Sequence, residues 1–513
     1  MKTVSNKRQT VLGTQVNSLL EVVVNIMNAK YLRALVLLIL VGSGLLLYGQ
    51  GTSASLTGQV TDPSGGVIPG ATVTVTNVDT SLTQVVKTDG AGTYLIRPLP
   101  IGNYTLSIDA SGFDRYAQKG IVLTANLSAT QDVRLKVGGG KAETVSVTAD
   151  AELINTTSAE LGTTVGESAI SELPLNGRDP SSLVLLAPGT SNVLQRGGEG
   201  IQSGFSFATE TGASSSGGRQ GSTFYMLDGV SNMDNYNDLT APFPNSDATQ
   251  EFKVISNNFS AIYGFSPGAV VSIATKSGTN SYHGGAFWFV RNNDLNAADW
   301  FVKGVDPLKR NQFGAYAGGP LLKNKLFIFG NYQGTRLVQA SNSNETYTPT
   351  AAMLTGDFSG LATTPGTTNL SGPFHTVNGV ANQLDTNVAN LDAAAVQIAK
   401  DGLPKATTGA ATSTTQAPNG DMYYTSAAVK QSYDEFTGKL DYDLSPKQRL
   451  SLRSFTNTMT EPSGDTPGNI LSVLNLANWS YDFQERMEYY NDVLEHTWTI
   501  NSTTVNTAAV FWN

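Results

Sequence analysis

Apolar and polar residues alternate in several short segments between residues 55 and 137, and turn-forming residues separate these segments. The segment "SLTGQVTD" precedes the turn signal 63–66, and "ATVTVTNV" alternates small or polar residues with Val. Two more such segments lie on either side of residues 100–102, and "QDVRLKV" is the last of the set. Alternation with a period of two predicts strands, and short strands at regular spacing are typical of a small β-sandwich.

Longer alternating segments follow Tyr282. In "EFTGKLDYDL", "RLSLRSF" and "NDVLEHTWTI", charged residues occupy one face and apolar or aromatic residues the other. The first face holds Thr437, Lys439, Asp441, Asp443, Arg449, Ser451 and Arg453, and the second holds Gly438, Leu440, Tyr442, Leu444, Leu450, Leu452, Leu494, Trp498 and Ile500. A membrane barrel with a wet lumen turns the charged face inward, whereas a soluble sandwich turns the apolar face inward. Alternation alone does not separate the two.

The connections between these segments are short on one side and long on the other. Tight turns are expected at 323–325, 445–447 and 501–502, whereas residues 339–430 form a long polar insertion with one helix-like piece, "LDAAAVQIAKDGLP". Short periplasmic turns and long outer loops are typical of outer-membrane barrels. About seven such strands are expected before Asn513.

The first 54 residues are expected to be an N-terminal extension and a signal peptide. An apolar run at 34–47 follows Lys30 and Arg33 and precedes small residues, which is the order of a secretory signal. The alternative is a membrane anchor, for which the run is short because a spanning helix needs ~20 residues. Translation from Met27 gives a signal of ordinary layout, and cleavage is expected within 49–55.

Composition excludes several classes of function. The 513 residues include 52 Gly and only 14% charged residues, which is typical of an all-β envelope protein. The net charge of −9, with no basic cluster after residue 35, argues against nucleic acid as a partner. The sequence has no Cys, three scattered His and no H-E-x-x-H motif, so no metal, cofactor or catalytic residue is expected.

Residues 156–276 carry three linked motifs. The first is "LGTTVGESAISELPLNGRDPSSLVLLAPGT", with two helix-like segments; the second is "GGRQGSTFYMLDGVSN", a strand that ends in a turn; the third is "QEFKVISNNFSAIYGFSPGAVVSIATKSGTN". Their marker residues are Gly177, Arg178, Pro188, Gly189, Asp228, Gly229, Glu251, Tyr263, Gly264, Gly268, Thr275 and Lys276. The order and spacing of the three motifs are more specific than any one of them.

These motifs resemble the plug domain of TonB-dependent outer-membrane receptors, and the segment 55–137 resembles the carboxypeptidase regulatory-like, transthyretin-like domain. The combination is similar to the Oar-like subgroup. The resemblance implies a mainly β fold: a small β-sandwich at 55–137, a hinge at 138–155, an α/β plug at 156–276, and the N-terminal portion of an antiparallel transmembrane β-barrel at 277–513. A plugged transporter barrel has ~22 strands, so the resemblance implies that a sequence with about seven is a fragment or a truncated product. Phe252 and Lys253 depart from the family, which often has Arg and Ile there.

A candidate energy-coupling strand follows the flexible joint at 138–140. The segment has β-branched residues and precedes the plug-like region. It consists of Glu143, Thr144, Val145, Ser146, Val147, Thr148 and Ala149. An extended segment beside a hinge can add to a partner's sheet edge. The resemblance implies a TonB-type inner-membrane protein as that partner; the alternative is an ordinary structural strand.

The resemblance implies an outer-membrane receptor or transporter, in contact with outer-membrane lipid, that takes up an unidentified extracellular ligand. Carbohydrate and peptide are the candidate ligand classes. Two alternatives remain: a surface adhesin or assembly receptor of the same fold, and a secreted carbohydrate-binding sandwich. The aromatic residues Trp288, Trp300 and Phe301 suit sugar stacking, but girdle or packing roles in a barrel are favoured.

One motif suggests hydrolysis. Residues 264–268 match G-x-S-x-G, the nucleophile-elbow pattern, with Ser266 as the nucleophile. An elbow requires a helix after the serine, whereas Pro267 and the strand-like "AVVSIATK" follow here. The sequence therefore predicts a plug turn at this position and a protein that is not an enzyme.

Overall fold

The fold is described from a computed structural model. It describes residues 52–138, 144–148, 159–192, 213–219, 221–234, 239–263, 267–298, 305, 308–339, 345–348, 374–377, 380–384, 397, 421–424, 429–462, 484–501 and 504–513. The predicted signal peptide, the start at Met27, Trp300, Phe301, Ser266 and nearly all of the helix-like piece in the 339–430 insertion lie outside these residues. Among the described residues, no helix has the length and apolar character needed to cross a membrane.

The first unit is a β-sandwich of two sheets. Its strands are β1 (Ala54–Thr61), β2 (Thr72–Asn77), β3 (Thr83–Lys87), β4 (Thr93–Leu99), β5 (Gly102–Asp109), β6 (Arg115–Leu123), β7 (Ser128–Thr130) and β8 (Val133–Arg134). One sheet has the order β4-β1-β7, with β8 also on β1, and the other contains β3-β2-β5-β6. Alternate residues of β1, β2 and β5 are buried between the sheets, as the period of two predicts.

A ninth strand, β9 (Thr144–Thr148), extends the second sheet of the sandwich. It runs parallel to β6, with Arg115 opposite Thr144 and Lys119 opposite Thr148. The candidate coupling strand therefore occupies an edge of the sandwich, and its two end residues, Glu143 and Ala149, lie outside the described residues.

The plug is built on a mixed sheet with the order β10-β17-β18-β13-β14. These strands are β10 (Leu161–Val165), β13 (Thr223–Leu227), β14 (Val230–Ser231), β17 (Thr249–Asn257) and β18 (Ala269–Thr275). The two helix-like segments of the sequence form helix α1 (Glu167–Glu172) and a 3-10 helix (Pro180–Leu186), and further 3-10 turns lie at Asn176–Arg178 and Ala261–Tyr263. Two short pairs complete the plug: β11 (Thr190–Asn192) with β12 (Ala213–Ser215), and β15 (Met233–Asp234) with β16 (Leu239–Thr240).

The third unit is a seven-stranded antiparallel sheet, called here the wall, in which neighbours follow one another along the chain. Its strands are β19 (His283–Asn292), β20 (Lys309–Leu322), β21 (Leu326–Gln339), β26 (Val429–Ser445), β27 (Gln448–Pro462), β28 (Gln484–Thr499) and β29 (Val505–Trp512). A 3-10 turn (Asn293–Leu295) follows β19, and two hairpins lie in the long insertion: β22 (Glu345–Thr348) with β25 (Asp421–Tyr424), and β23 (Phe374–Val377) with β24 (Val380–Leu384). The strand count and the predicted tight turns at 323–325 and 445–447 are confirmed, whereas Ser502 of the predicted turn 501–502 lies outside the described residues.

The two faces of the wall have the orientation expected of a barrel. Thr437, Asp441, Asp443 and Arg453 are buried against the rest of the molecule, whereas the opposite face exposes large apolar side chains. These exposed side chains include Phe436, Leu444, Leu452, Leu494, Trp498 and Ile500. A soluble sandwich shows the reverse arrangement. Trp288 lies on the exposed face, with 71% of its surface accessible, which suits a lipid-facing position.

Some strands of the sandwich do not follow the pattern expected from the sequence. The last predicted strand, "QDVRLKV", forms a strand only at Val133–Arg134, and Val137 adds an isolated bridge to Phe113. Strands β3 and β6 were not expected at all, because neither alternates regularly. In β6, Gly120 has a φ of 78°, and the register with β5 shifts between Tyr104 and Leu106. Such a bulge breaks the period of two on which the prediction depends.

Candidate functional site

The hairpin that joins β13 to β14 reaches the wall through its two turn residues. Asp228 and Gly229 both have positive φ (46° and 85°), and Leu227 pairs directly with Val230. A two-residue turn of this kind favours Asp-Gly, which explains the "LDG" of the sequence. The turn directs the Asp228 carboxylate at strands β26 and β27 of the wall.

Asp228 is a buried anion with four donor groups around it, contributed by three residues. Its carboxylate lies 3.1 Å from Arg453 Nε and 3.4 Å from Lys439 Nζ, and it accepts hydrogen bonds from Thr275 N (3.0 Å) and Thr275 Oγ1 (2.7 Å). Burial alone raises the pKa of Asp228, but the two cations and the Thr275 donors together hold it below its usual range. The carboxylate is therefore ionised, and it joins the plug to the wall by charge.

Arg453 connects the same hairpin to a third wall strand. Its side chain is 1% exposed and donates to Leu227 O (3.0 Å) and to Asn491 Oδ1 (2.8 Å) on β28. Asn491 Nδ2 in turn donates to Ser231 O (2.9 Å). Every one of these hydrogen bonds involves a buried polar group, and removing its partner lowers the stability because that group is left buried without a hydrogen bond. The plug hairpin is thus held by three neighbouring wall strands.

A second plug contact uses the "NGR" part of the first motif. Gly177 has a φ of 75°, and its carbonyl accepts a hydrogen bond from Gln312 Nε2 (2.8 Å). The Arg178 guanidinium pairs with Asp247 at 2.8 Å and lies 4.4 and 4.3 Å from the ring centres of Phe287 and Phe289. This cation fixes the loop before the 3-10 helix against the first wall strand.

A third contact was not expected from the sequence. Asn245 donates from its backbone N (2.7 Å) and from Nδ2 (2.6 Å) to Glu435 Oε1 on β26. The same Nδ2 also lies 2.6 Å from Asn331 Oδ1. Nothing in "PFPNSDAT" distinguishes Asn245 from an ordinary loop Asn, so only the three-dimensional structure reveals this link.

The remaining marker residues shape the plug itself. Gly189 has a φ of 79° after the 3-10 helix, and a Cβ at Gly268 would lie 2.6 Å from Ser222 Oγ. Tyr263 is buried in a small cluster with Met226. Pro188 lies in the turn that follows the 3-10 helix, Lys276 forms an ion pair with Glu167 at 2.7 Å, and Gly264 lies outside the described residues. Strand β18 begins two residues after Pro267, so no helix supports the elbow interpretation.

Glu251 faces away from the wall and toward the sandwich. Its carboxylate accepts a hydrogen bond from the backbone N of Ala125, in the loop that follows β6. Burial raises the pKa of Glu251 to about 7, although the Ala125 bond and the nearby Lys253 act in the opposite direction. This marker residue therefore belongs to the contact between two domains.

A cavity of about 630 Å³ lies where the sandwich, the plug and the wall meet. Its lining includes Asp79 of the sandwich, Asp228 and Lys276 of the plug, and Asp441 and Arg449 of the wall. Arg449 lies 3.0 Å from Asp441. Charges of both signs line this space, so the junction is polar, unlike the apolar cores of the sandwich and the plug. Within the described residues, no group of His, Cys, Asp and Glu suits a metal ion.

Comparison with known proteins agrees with these domains. The carboxypeptidase regulatory-like domain family matches residues 55–136, and the outer membrane beta barrel domain family matches residues 274–513. The TonB-dependent transporter Oar of Myxococcus xanthus is 28% identical over 330 residues, which cover 59% of this chain and 29% of Oar. The chain therefore spans less than a third of the length of that relative.

Two solved receptors are similar in structure. The siderophore receptor PirA of Acinetobacter baumannii is 15% identical, with a TM-score of 0.37 over 66% of this chain and 37% of PirA. A mutant ferric enterobactin receptor PfeA of Pseudomonas aeruginosa, in complex with enterobactin, is 14% identical, with a TM-score of 0.39 over 68% of this chain and 40% of PfeA.

The matched families agree with the sandwich and with the outward apolar face of the wall. The protein is located in the outer membrane. The chain is therefore a homologue of the TonB-dependent transporter Oar, and it combines a carboxypeptidase regulatory-like domain with an outer membrane beta barrel domain.

Proposed function

We propose that the protein is an energy-coupled transporter that carries an extracellular ligand across the outer membrane. The outer loops and the lumen bind the ligand, for which carbohydrate and peptide are the candidate classes. A TonB-type inner-membrane protein pulls on the segment 143–149, and the plug then shifts. No cofactor or covalent chemistry takes part. The outer-membrane location is incompatible with the secreted sandwich that the sequence left open.

The buried contact between Asp228 and the wall carries this proposal. Arg453 and Lys439 hold the Asp228 carboxylate, and Arg453 and Asn491 hold the adjoining main chain. Leaving a buried charge unpaired costs ~3–5 kcal/mol, so a state in which the hairpin has left the wall is populated in less than about 1% of molecules at rest. Coupling to the inner membrane would supply the work that raises this population.

The position of β9 supports the assignment of the coupling strand. One side of β9 pairs with β6, and the other side has no strand partner among the described residues. A partner strand can add to such an open edge through main-chain hydrogen bonds. The segment thus combines an accessible edge with a connection to the plug, because the chain continues from β9 to β10.

Site-specific photocrosslinking in intact cells tests this function. A photoreactive amino acid at Val145 in β9 should give an adduct with the TonB-type inner-membrane protein, identified by mass spectrometry. Val85 in β3 is the matched control, because it is exposed at the opposite edge of the same sheet. An adhesin of the same fold gives no adduct at either position, and this result would refute energy coupling through β9.

Substitution of Val145 by Pro gives a second measurement. Pro lacks the backbone donor and restricts the preceding residue, so a strand that carries it loses edge pairing. Val145→Pro should therefore abolish uptake while surface binding and the outer-membrane level persist. An ordinary structural strand predicts instead a parallel loss of folded protein and binding.

A further inference from the structure

We propose that the carboxypeptidase regulatory-like domain is a latch on the plug, and that the coupling strand β9 releases it. The latch is the loop 124–127, which follows β6 directly and rests on strands β17 and β18 of the plug. This proposal rests on the proposed function, because it assigns the route by which a pull on β9 reaches the plug.

The latch loop makes three polar contacts with the plug. Ala125 N donates to the Glu251 carboxylate, Asn126 Nδ2 donates to Ser272 Oγ (3.1 Å), and Asn126 O accepts from Lys253 Nζ (3.4 Å). Ala125 and Ser272 have no exposed surface. Asn126 has a φ of 55°, a conformation that Asn tolerates and that directs both its side chain and its carbonyl at the plug.

A second contact joins the sandwich to the rim of the wall. Asn280, in the connection between plug and wall, donates from its backbone N to Asp79 O (2.9 Å) and from Nδ2 to Ser81 Oγ (3.3 Å). Asn280 also accepts a hydrogen bond from the backbone N of Asn324, in the tight turn between β20 and β21. The sandwich is therefore fixed to the side of the wall that has short turns, which is the periplasmic side in outer-membrane barrels.

The coupling strand and the latch loop both adjoin strand β6 of the sandwich. Strand β9 pairs with residues 115–119 of β6, and β6 ends at Leu123, two residues before Ala125. The hydrogen bonds of a strand pair act together along their length, so a pull on β9 displaces β6 and the loop that follows it. Displacement of this loop removes the partners of Glu251, Lys253 and Ser272 at once.

A direct route through the chain is the competing possibility. Strand β10 follows β9 along the chain and forms the edge of the plug sheet on β17. A pull transmitted only through residues 149–160 would detach β10 and leave the latch loop in place. The two routes differ in one measurable quantity, which is the exposure of Ser272 under the latch.

The test uses the absence of Cys from the 513-residue sequence. In cells that carry Ser272→Cys, a periplasm-accessible maleimide should label the thiol about tenfold faster when the proton-motive force is present than after a protonophore, since unassisted minor states reach only 0.1–10%. Combination with Val145→Pro should keep the slow rate. An equally slow rate in energised cells, despite a photo-adduct at Val145, would overturn the latch and leave the proposed function intact.

The remaining outcomes are also decisive. Fast labelling in energised Val145→Pro cells would show that the latch opens without β9, which overturns the proposed route. Absence of both the Val145 adduct and any effect of the protonophore would overturn the proposed function itself, and the latch mechanism with it. These results separate failure of the latch from failure of energy coupling.

Thiol crosslinking tests the contact between the latch loop and the plug without the proton-motive force. In Asn126→Cys/Ser272→Cys, a short bifunctional thiol reagent should link the two residues, whereas Val122→Cys/Ser272→Cys should not be linked, because Val122 is exposed on β6. Asn126→Gly keeps the positive φ and removes the amide, so it should raise the resting labelling of Ser272→Cys about fivefold, the effect of one hydrogen bond. Absence of a crosslink in Asn126→Cys/Ser272→Cys would refute the contact between the latch loop and the plug.

Discussion

The buried cation Arg453 gives the sharpest prediction about how the plug is held. Arg453→Met keeps most of the side-chain volume but removes the charge and the donors to Asp228, Leu227 and Asn491. Loss of one partner of a buried pair costs ~3–5 kcal/mol. Lys439 remains 3.4 Å from Asp228, so the lower end, about 3 kcal/mol, is expected.

Hydrogen exchange of the plug hairpin measures this loss. The amides of Asp228 and Asn232 donate to Ile273 O (2.8 Å) and Tyr225 O (2.9 Å), and they exchange only when the hairpin opens. A loss of about 3 kcal/mol in opening free energy corresponds to exchange about 150-fold faster, since 1.36 kcal/mol is tenfold. The measurement uses the purified protein in detergent, with intact barrel confirmed by heat-modifiable migration on gels.

Arg336→Met is the matched control. Arg336 pairs with Asp434 at 2.9 Å, but both side chains are about two-fifths exposed (43% and 40%), and exposed pairs contribute at most ~1 kcal/mol. The control should therefore leave exchange at Asp228 and Asn232 unchanged. A change below about threefold for Arg453→Met, or an equal effect of both substitutions, would refute the argument that burial makes this contact strong. Asp228→Asn in the Arg453→Met background should restore part of the loss, because it removes the incompletely paired anion.

Three more predictions concern the plug. The folded-state pKa of Glu251 is raised to about 7, so the folded protein favours the protonated carboxyl group. Thermal stability should therefore fall as the pH rises from about 4.5 to 7, and Glu251→Gln should flatten this pH dependence in melting curves. Arg178→Lys keeps the charge but loses the planar contact with two rings, so it should lower the free energy of unfolding, measured with denaturant, by about 1 kcal/mol. Arg178→Ala should lower it further. Gly177→Ala should cost at least about 1 kcal/mol in the same measurement, because φ is positive and the new Cβ would lie 2.8 Å from Arg310 Nη1; an unchanged midpoint would contradict the steric argument.

The sequence predicted the strands in which buried and exposed side chains alternate regularly. Strand β1 is buried at every second residue, and the wall segment around Thr437 and Asp441 has the predicted inward polar face. Strand β18 is buried at all seven positions, so it has no alternation, and it was expected from the strand-like composition of "AVVSIATK" instead. Strand β6 was missed because its bulge at Gly120 shifts the pattern.

The contacts of the site could not be predicted from these patterns. Asp228 was singled out as a turn residue and Arg453 as an inward residue, but 225 positions separate them, and no local signal connects a turn with a distant strand. Asn245 and Glu435 are a similar case, 190 positions apart. In each pair, the sequence shows which side chains are charged or polar, but only the structure shows that the two are in contact.

The inward charges of the wall have two different roles, which alternation cannot distinguish. Arg453 donates hydrogen bonds to two acceptors of the plug, Asp228 and Leu227 O. Arg449, in contrast, pairs with Asp441 on the neighbouring strand of the wall and faces the cavity. When the plug moves, Arg453 keeps Asn491 but loses Asp228 and Leu227 O, whereas Arg449 keeps Asp441. The energetic cost of plug movement therefore falls on the wall residues that pair with the plug, which include Arg453, Lys439 and Glu435, and not on Arg449.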